Sequence, residues 1–182
     1  FKAGSCGKAV DRMEIAINSS DPENIVGEIL VRGANVMDGY YKNHEATSSA
    51  IDEDGWLHTG DMGTVSEDGT IFIKGRYKTM ILGANGQNIY PEEIEDRLNA
   101  LPYVSESLVI EKDGKLIALV YPDYEVVKKE KISPEQLKTK MDENRKLLNH
   151  MLPMYSQVAR LKIQETEFEK TPKRSIKRYL YQ

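Results

Sequence analysis

Cysteine is nearly absent from these 182 residues: Cys6 stands alone, so no internal disulfide can form. A reducing compartment fits that usage, and the expected location is cytoplasmic. Histidine is as scarce: His44, His58 and His150 are scattered, with neither an HExxH pair nor a Cys/His spacing suited to zinc. No run approaches the roughly 18 to 20 apolar residues that a spanning helix needs, and the opening FKAGSCGKAV lacks the apolar core of a secretory leader. Also missing are a GxxxxGKS/T phosphate loop, a GxGxxG dinucleotide turn and a GxSxG nucleophile elbow, which excludes self-contained enzymes of those kinds. Asn18-Ser19-Ser20 matches a glycosylation acceptor, but so short a motif arises by chance and the single cysteine argues against secretion.

What is present is ordinary globular composition, 40% hydrophobic and 30% charged, enough for one or two small cores. The net charge of -4 is unevenly spread. Residues 1–74 hold six basic against thirteen acidic side chains, a balance of -7, so the remainder carries +3. Much of that excess lies in Lys170, Lys173, Arg174, Lys177 and Arg178, after the last acid, Glu169. Such a tail reads either as a phosphate-binding segment or as a solvated, flexible terminus. The first residue is Phe and the opening is abrupt, so the expectation is the end of a longer protein.

The first half reads as mostly β. Met13–Asn18 and Gly27–Val31 have strand composition around a Ser20-Asp21-Pro22 loop, and Asn43 is placed to cap a short helix over His44–Ile51. Asp68-Gly69 joins Gly63–Val65 to Ile71–Ile73 in a hairpin pattern. After Arg76 the pattern changes. A short strand over Met80–Leu82 and a loop at Gly83-Ala84-Asn85-Gly86 lead to Pro91, which opens a helix with Glu92 and Glu93 in its first turn. Val104–Glu111 and Leu116–Tyr121 form a second hairpin around Asp113-Gly114. Ser133-Pro134-Glu135-Gln136 is a capping box, and Leu137, Met141, Leu148 and Leu152 continue an apolar helical face until Pro153. Val158–Ile163 reads as a last strand and Ile176–Tyr181 as a final turn of helix. The expected fold class is α+β: a small β-rich subdomain over residues 1–77, then a compact α+β domain over residues 78–182 with a short sheet and packed helices.

Two places could carry chemistry. In Trp56-Leu57-His58-Thr59-Gly60-Asp61 a carboxylate follows a glycine, where its oxygens can accept both hydroxyls of a ribose; the bland alternative is an Asp that ends a turn. In Gly75-Arg76-Tyr77-Lys78 a guanidinium and an ammonium sit at the expected domain junction, suited to phosphate or ribose oxygens, or to surface ion pairing.

Taken together, GEILVRGANVMDGYYKN, WLHTGD, GRYKTMILGANGQNIYPEEIE and EKTPKRSIKRYLY, in this order, resemble the closing portion of the AMP-forming acyl-CoA synthetases, the adenylate-forming superfamily. The resemblance covers nearly the whole chain. The wording of GQNIYPEEIE and the TP-plus-IKR tail looks closest to bacterial long-chain fatty acyl-CoA ligases.

That resemblance implies an enzyme that uses ATP with Mg2+ to convert a fatty acid to an acyl adenylate, then swings a small lid domain so that coenzyme A attacks the acyl carbon. It implies ribose binding by Asp61 with Arg76 beside it, a hinge at Lys78, and a place for Gly86 in the loop lining the coenzyme A channel; an ordinary turn glycine is the alternative for Gly86. The tail departs from the family pattern: Ser175 stands where the family places a lysine that steadies the forming adenylate. Lys173 and Lys177 flank that position, and Lys177 is the expected substitute. The phosphate loop, adenine-binding segments and acyl tunnel of the family all lie upstream of anything here. The chain alone is therefore expected to be inactive and to hold no ATP or coenzyme A tightly. Aryl-CoA ligases, peptide-synthetase adenylation modules and a silent adenylate-fold binding protein stay open as alternatives. Nucleic acid is set aside as a partner because the basic tail coincides with a family motif in an acidic chain. Enzymes acting on long acyl chains commonly meet their substrates at membranes, which leaves peripheral association of the parent open.

Overall fold

The computed structural model describes residues 2–83 and 85–182. The chain forms two compact units, one through Thr79 and one from Met80. The fold is α+β.

The first unit is a four-stranded antiparallel meander of β1 (Met13–Asn18), β2 (Gly27–Gly33), β3 (Leu57–Val65) and β4 (Ile71–Arg76), in that spatial order. Helix α1 (His44–Ala50) lies between β2 and β3 in sequence. Asn43 Oδ1 accepts the Ala46 N–H at 3.0 Å, satisfying one of the orphan donors of the helix start. Ile17, Ile29 and Ile71 form the buried centre of this sheet, with Ile15, Val31 and Val65 against them. At the β3–β4 turn Asp68 accepts the Ser66 hydroxyl at 2.7 Å and the Lys2 ammonium at 2.9 Å, which fixes the turn that Gly69 closes.

The second unit opens with a minimal hairpin, β5 (Ile81–Leu82) against β6 (Asn88–Ile89), followed by α2 (Pro91–Asn99). A three-stranded sheet comprises β7 (Val104–Lys112), β8 (Lys115–Pro122) and β9 (Val158–Ile163); β8 pairs antiparallel with β7 and parallel with β9. Helices α3 (Tyr124–Lys129) and α4 (Pro134–Met151) make the crossover from β8 to β9. Asp113 and Gly114 both take positive φ, 53° and 70°, so the β7–β8 turn has the twist that matches paired strands. Both halves of the capping box form at α4: Ser133 Oγ accepts the Gln136 N–H at 3.2 Å, and Gln136 Oε1 accepts the Ser133 N–H at 2.8 Å.

The sheet is buried on both faces. Ile94 and Leu98 of α2 and Leu137, Met141 and Leu148 of α4 pack with Val109, Ala118, Val120 and Val158. On the opposite face Leu108, Ile110, Ile117 and Leu119 are covered by Phe168, Ile176 and Tyr181 of the C-terminal segment. That second layer makes β8 a nearly unbroken apolar run, as a strand covered on both sides requires.

Three elements differ from the sequence reading. Helix α3 was not expected; its Asp123 cap accepts the N–H groups of Glu125 and Val126, both at 3.1 Å. Strand β6 was not expected either; it makes the expected loop over residues 83–86, of which Ala84 lies outside the described residues, the tip of a hairpin, where the Gly83 N–H donates to the Gln87 carbonyl. The last turn is 3-10 and confined to Arg178–Leu180, and the segment leading to it is packed on the sheet instead of being a solvated terminus. No helix among the described residues is long and apolar enough to cross a membrane.

Candidate functional site

Asp61 and Arg76 occupy directly opposed positions on β3 and β4. Cross-strand neighbours lie close enough for their side chains to meet, and Arg76 Nη1 reaches Asp61 Oδ1 at 3.1 Å. The Asp61 side chain is 31% exposed and that of Arg76 58%, so the pair is open to a solute. It stands at the end of β4 directly before the 3-10 turn Tyr77–Thr79, which carries Lys78. Arg76 and Lys78 help to line a cleft of about 670 Å3 with Glu28, Tyr40, Asp52 and His58, all within the first unit. A carboxylate accepting hydroxyls beside a guanidinium that attracts phosphate is the chemistry of a nucleotide sugar site.

The local backbone explains how Asp61 is presented. Between the β2–β3 pairs Glu28/Met62 and Leu30/His58 the strands fall out of register, with Thr59, Gly60 and Asp61 facing Ile29. Such a bulge re-aims side chains. Gly60 takes φ of 71°, a conformation that side chains other than glycine's rarely tolerate. Sequence reasoning identified Asp61 and missed the two groups that hold its bulge, Glu28 and His58. Glu28 Oε1 accepts the Gly60 N–H at 3.0 Å and its Oε2 lies 2.8 Å from His58 Nδ1. The Glu28 carboxylate raises the His58 pKa above its ordinary value, and Asp52, 3.6 Å from Nε2, adds to that. The local signal was thin: one histidine in a strand, thirty residues from its partner.

In the second unit, Gly86 takes φ of 78° at the β5–β6 tip, and a Cβ there would meet nothing within 4 Å. Glycine is needed for backbone conformation, not for space in this structure. The loop lies beside a cleft of about 490 Å3 lined by Leu82, Gly83, Asn85, Leu116, Met154 and Tyr155.

Ser175 sits on an exposed turn closed by the Thr171 N–H to the Ser175 carbonyl at 2.8 Å, with Arg174 at φ of 62°. Lys173 is exposed on the same turn. Lys177 is turned to Glu169, its ammonium 3.1 Å from Oε2, and that carboxylate raises its pKa. Lys170 lies 2.6 Å from Glu106 and 2.8 Å from Glu167. Arg178 bonds Glu95 Oε2 at 2.9 Å and the Val109 carbonyl at 3.0 Å. Among the described residues no cluster of three His, Cys, Asp or Glu side chains could hold a metal ion.

Comparison with known proteins matches residues 78–181 to the AMP-binding enzyme C-terminal domain. The long-chain-fatty-acid–CoA ligase ACSBG2 of Gallus gallus is 39% identical over 121 residues, 66% of this chain and 16% of that protein. The 2-succinylbenzoate–CoA ligase of Bacillus cytotoxicus is 38% identical over 139 residues, 75% of this chain and 28% of that protein. The o-succinylbenzoate CoA synthetase of Bacillus subtilis, solved with its acyl-adenylate intermediate, superimposes with a TM-score of 0.77 at 27% identity, covering 100% of this chain and 36% of that one. The chain thus spans well under half the length of these relatives.

Proposed function

The chain belongs to the AMP-binding enzyme C-terminal domain family, and from that premise we propose that it is the closing part of an AMP-forming acid–thiol ligase acting on long-chain fatty acids. The observation that carries the reading is the Asp61–Arg76 pair, a cross-strand carboxylate and guanidinium in contact at 3.1 Å and open to a solute. The residues fit a nucleotide sugar: Asp61 accepts the ribose hydroxyls, and Arg76 both orients that carboxylate and attracts the neighbouring phosphate.

In the first half-reaction the substrate carboxylate attacks the α-phosphorus of ATP, forming the acyl–phosphate bond as the bond to pyrophosphate breaks. In the second, the thiol of coenzyme A attacks the acyl carbon, the thioester forms and AMP leaves with the electron pair. Mg2+ enters as the companion of the ATP phosphates. Lys78 is the hinge whose backbone rotation reorients the unit from Met80 onward between these steps, since a few dihedral changes at a junction suffice for such a motion. Gly86 lies along the coenzyme A channel in the second arrangement. Lys177 supplies the charge that Ser175 lacks. The long-chain assignment draws on relatives named as long-chain-fatty-acid–CoA ligases; another is named an indoleacetate–CoA ligase.

The test is pyrophosphate release by the full-length parent with ATP and a panel of acids. Palmitate and oleate should be turned over fastest, and Asp61→Asn should raise the KM for ATP. Preference for an aryl acid would overturn the substrate assignment, and an unchanged KM in the variant would overturn the role of Asp61.

A further inference from the structure

A strand that inserts three residues opposite one leaves backbone donors and acceptors without ladder partners, and a buried backbone group without a partner is costly. In β3 those groups are met by side chains. Thr59 Oγ1 donates to the Ile29 carbonyl at 2.8 Å and accepts the Asp61 N–H at 3.0 Å. The Gly60 N–H donates to Glu28 Oε1 at 3.0 Å, so Glu28 occupies the place that a strand carbonyl would otherwise hold.

Glu28 is itself held. His58 Nδ1 lies 2.8 Å from Glu28 Oε2, and His58 Nε2 lies 3.6 Å from Asp52 Oδ2. Asp52 is fixed in turn by accepting the Trp56 N–H at 2.8 Å. Glu28 is 25% exposed and His58 34%, so their bond is only partly screened. We propose that Glu28 and His58 form a carboxylate–imidazole clamp whose function is to hold the Thr59–Asp61 bulge and thereby to aim the Asp61 carboxylate at its ligand. Both are positioning residues. They act through Gly60 and Asp61, and the ligand part of the claim rests on the nucleotide reading above.

The charged and titratable groups that meet His58 are Glu28 from β2 and Asp52 from the segment after α1; Arg76, Tyr77, Lys78 and Tyr40 line the same cleft. Two carboxylates hold the imidazolium, in keeping with the raised His58 pKa. Loss of the Nε2 proton weakens the Asp52 contact and leaves the Nδ1–H on Glu28. The clamp itself therefore survives neutral pH, and the Glu28–Gly60 bond senses the imidazole charge through the shared carboxylate.

The experiment is NMR on the 182-residue chain, following the Gly60 amide, the His58 ring nitrogens and the Asp61 side-chain carboxyl carbon. In the wild type the Gly60 amide should shift with pH at the same midpoint as His58, which the Glu28 carboxylate raises above that of an ordinary histidine. In Glu28→Gln the His58 midpoint should fall, the Asp61 carboxyl resonance should move, and exchange of the Gly60 amide should quicken roughly ten- to hundredfold, the loss expected of a bond to a charged group. His58→Asn keeps a donor toward Glu28 without a titrating ring, so it should retain Gly60 protection while abolishing the pH-dependent shift; a role in stability alone would not produce that split. If Glu28→Gln does not fold, the wild-type titration and His58→Asn decide. Gly60 and Asp61 resonances indifferent to His58 titration, and to both substitutions where they fold, would overturn the clamp. AMP titration separates the two claims: resonance changes on AMP addition that are the same in wild type and Asp61→Asn would sink the nucleotide reading while the clamp stands on the Gly60 and His58 data.

Discussion

Replacing Arg178 by Ala removes one side chain from the centre of a buried network, and the cost can be worked from its contacts. Strand β7 is at the edge of its sheet, and Val109 turns its N–H and carbonyl away from β8. Glu95 Oε1 accepts that N–H at 2.6 Å, Arg178 Nη2 donates to that carbonyl at 3.0 Å, and Arg178 Nη1 joins Glu95 Oε2 at 2.9 Å. The pair thus acts as a substitute strand on an edge that would otherwise be open. The side chains are 18% and 11% exposed, which places the pair in the buried regime where removal of one partner costs about 3 to 5 kcal/mol. The lower end applies, because Glu95 keeps its bond from Val109. Burial already raises the Glu95 pKa, against the lowering effect of Arg178. Without the guanidinium it rises further. A carboxyl whose folded pKa lies above its unfolded value binds more protons when folded, so its contribution to stability falls as pH rises through the window between those two values. The loss in Arg178→Ala should therefore be full at pH 7.5 and shrink toward pH 4.5. Denaturant unfolding at the two pH values, with exchange of the Val109 amide reporting on this unit, measures it. Glu95→Gln in the Arg178→Ala background should recover a large part of the loss, and Arg178→Lys only a small part, since one ammonium cannot reproduce a fork to two acceptors. A loss under about 1 kcal/mol that is independent of pH, with no recovery from Glu95→Gln, would refute the reasoning.

In the full-length parent, Ser175→Lys should raise the rate of adenylate formation by up to roughly a hundredfold, the range reported by removal of a single transition-state donor. Lys177→Ala should lower that rate more than Lys173→Ala, and Glu169→Gln should raise it by releasing the Lys177 ammonium; equal rates for the two lysine variants would count against Lys177. Gly86→Ala meets no steric contact, so it should cost only the roughly 1 kcal/mol of a left-handed backbone, read by thermal unfolding, with a larger loss in the thioester-forming step than in pyrophosphate release if the loop lines the coenzyme A channel.

Local rules carried the fold where the signal is local. The Asp113-Gly114 turn, the Asn43 cap and both arms of the Ser133–Gln136 box depend on neighbours at most four residues away, and each is found as its chemistry requires. Helix α3 carries a legible cap, Asp123 before Glu125, but six residues give too few turns for an apolar period to show. The unevenness is greater in the site. Asp61 and Arg76 were legible as residue types beside glycines, and their meeting follows from the register of two strands joined by a short turn. Glu28 lies 32 residues from the amide it caps, and nothing in its neighbourhood distinguishes it from a solvated strand residue.

The basic tail shows why charge along a sequence is a poor guide to charge on a surface. Of its five cations, Lys170 meets Glu106 and Glu167, Lys177 meets Glu169, and Arg178 meets Glu95. Two of those acids come from elements more than sixty residues upstream, which no count over the tail could register. The Glu106 and Glu95 pairings also fasten the tail to β7 and α2 beside Phe168 and Tyr181, whose rings meet edge to face at 5.2 Å. What the apolar contacts hold in place, the ion pairs hold in register. The exposed turn of Lys173, Arg174 and Ser175 is thus presented from a fixed base, and on the proposed reading the chemistry of this segment depends on that turn together with Lys177 beside it and not on the net charge of the tail. Exchange of Ser175 or Lys173 should alter ligand chemistry with little effect on the unit's stability, whereas exchange of Arg178 or Phe168 should do the reverse.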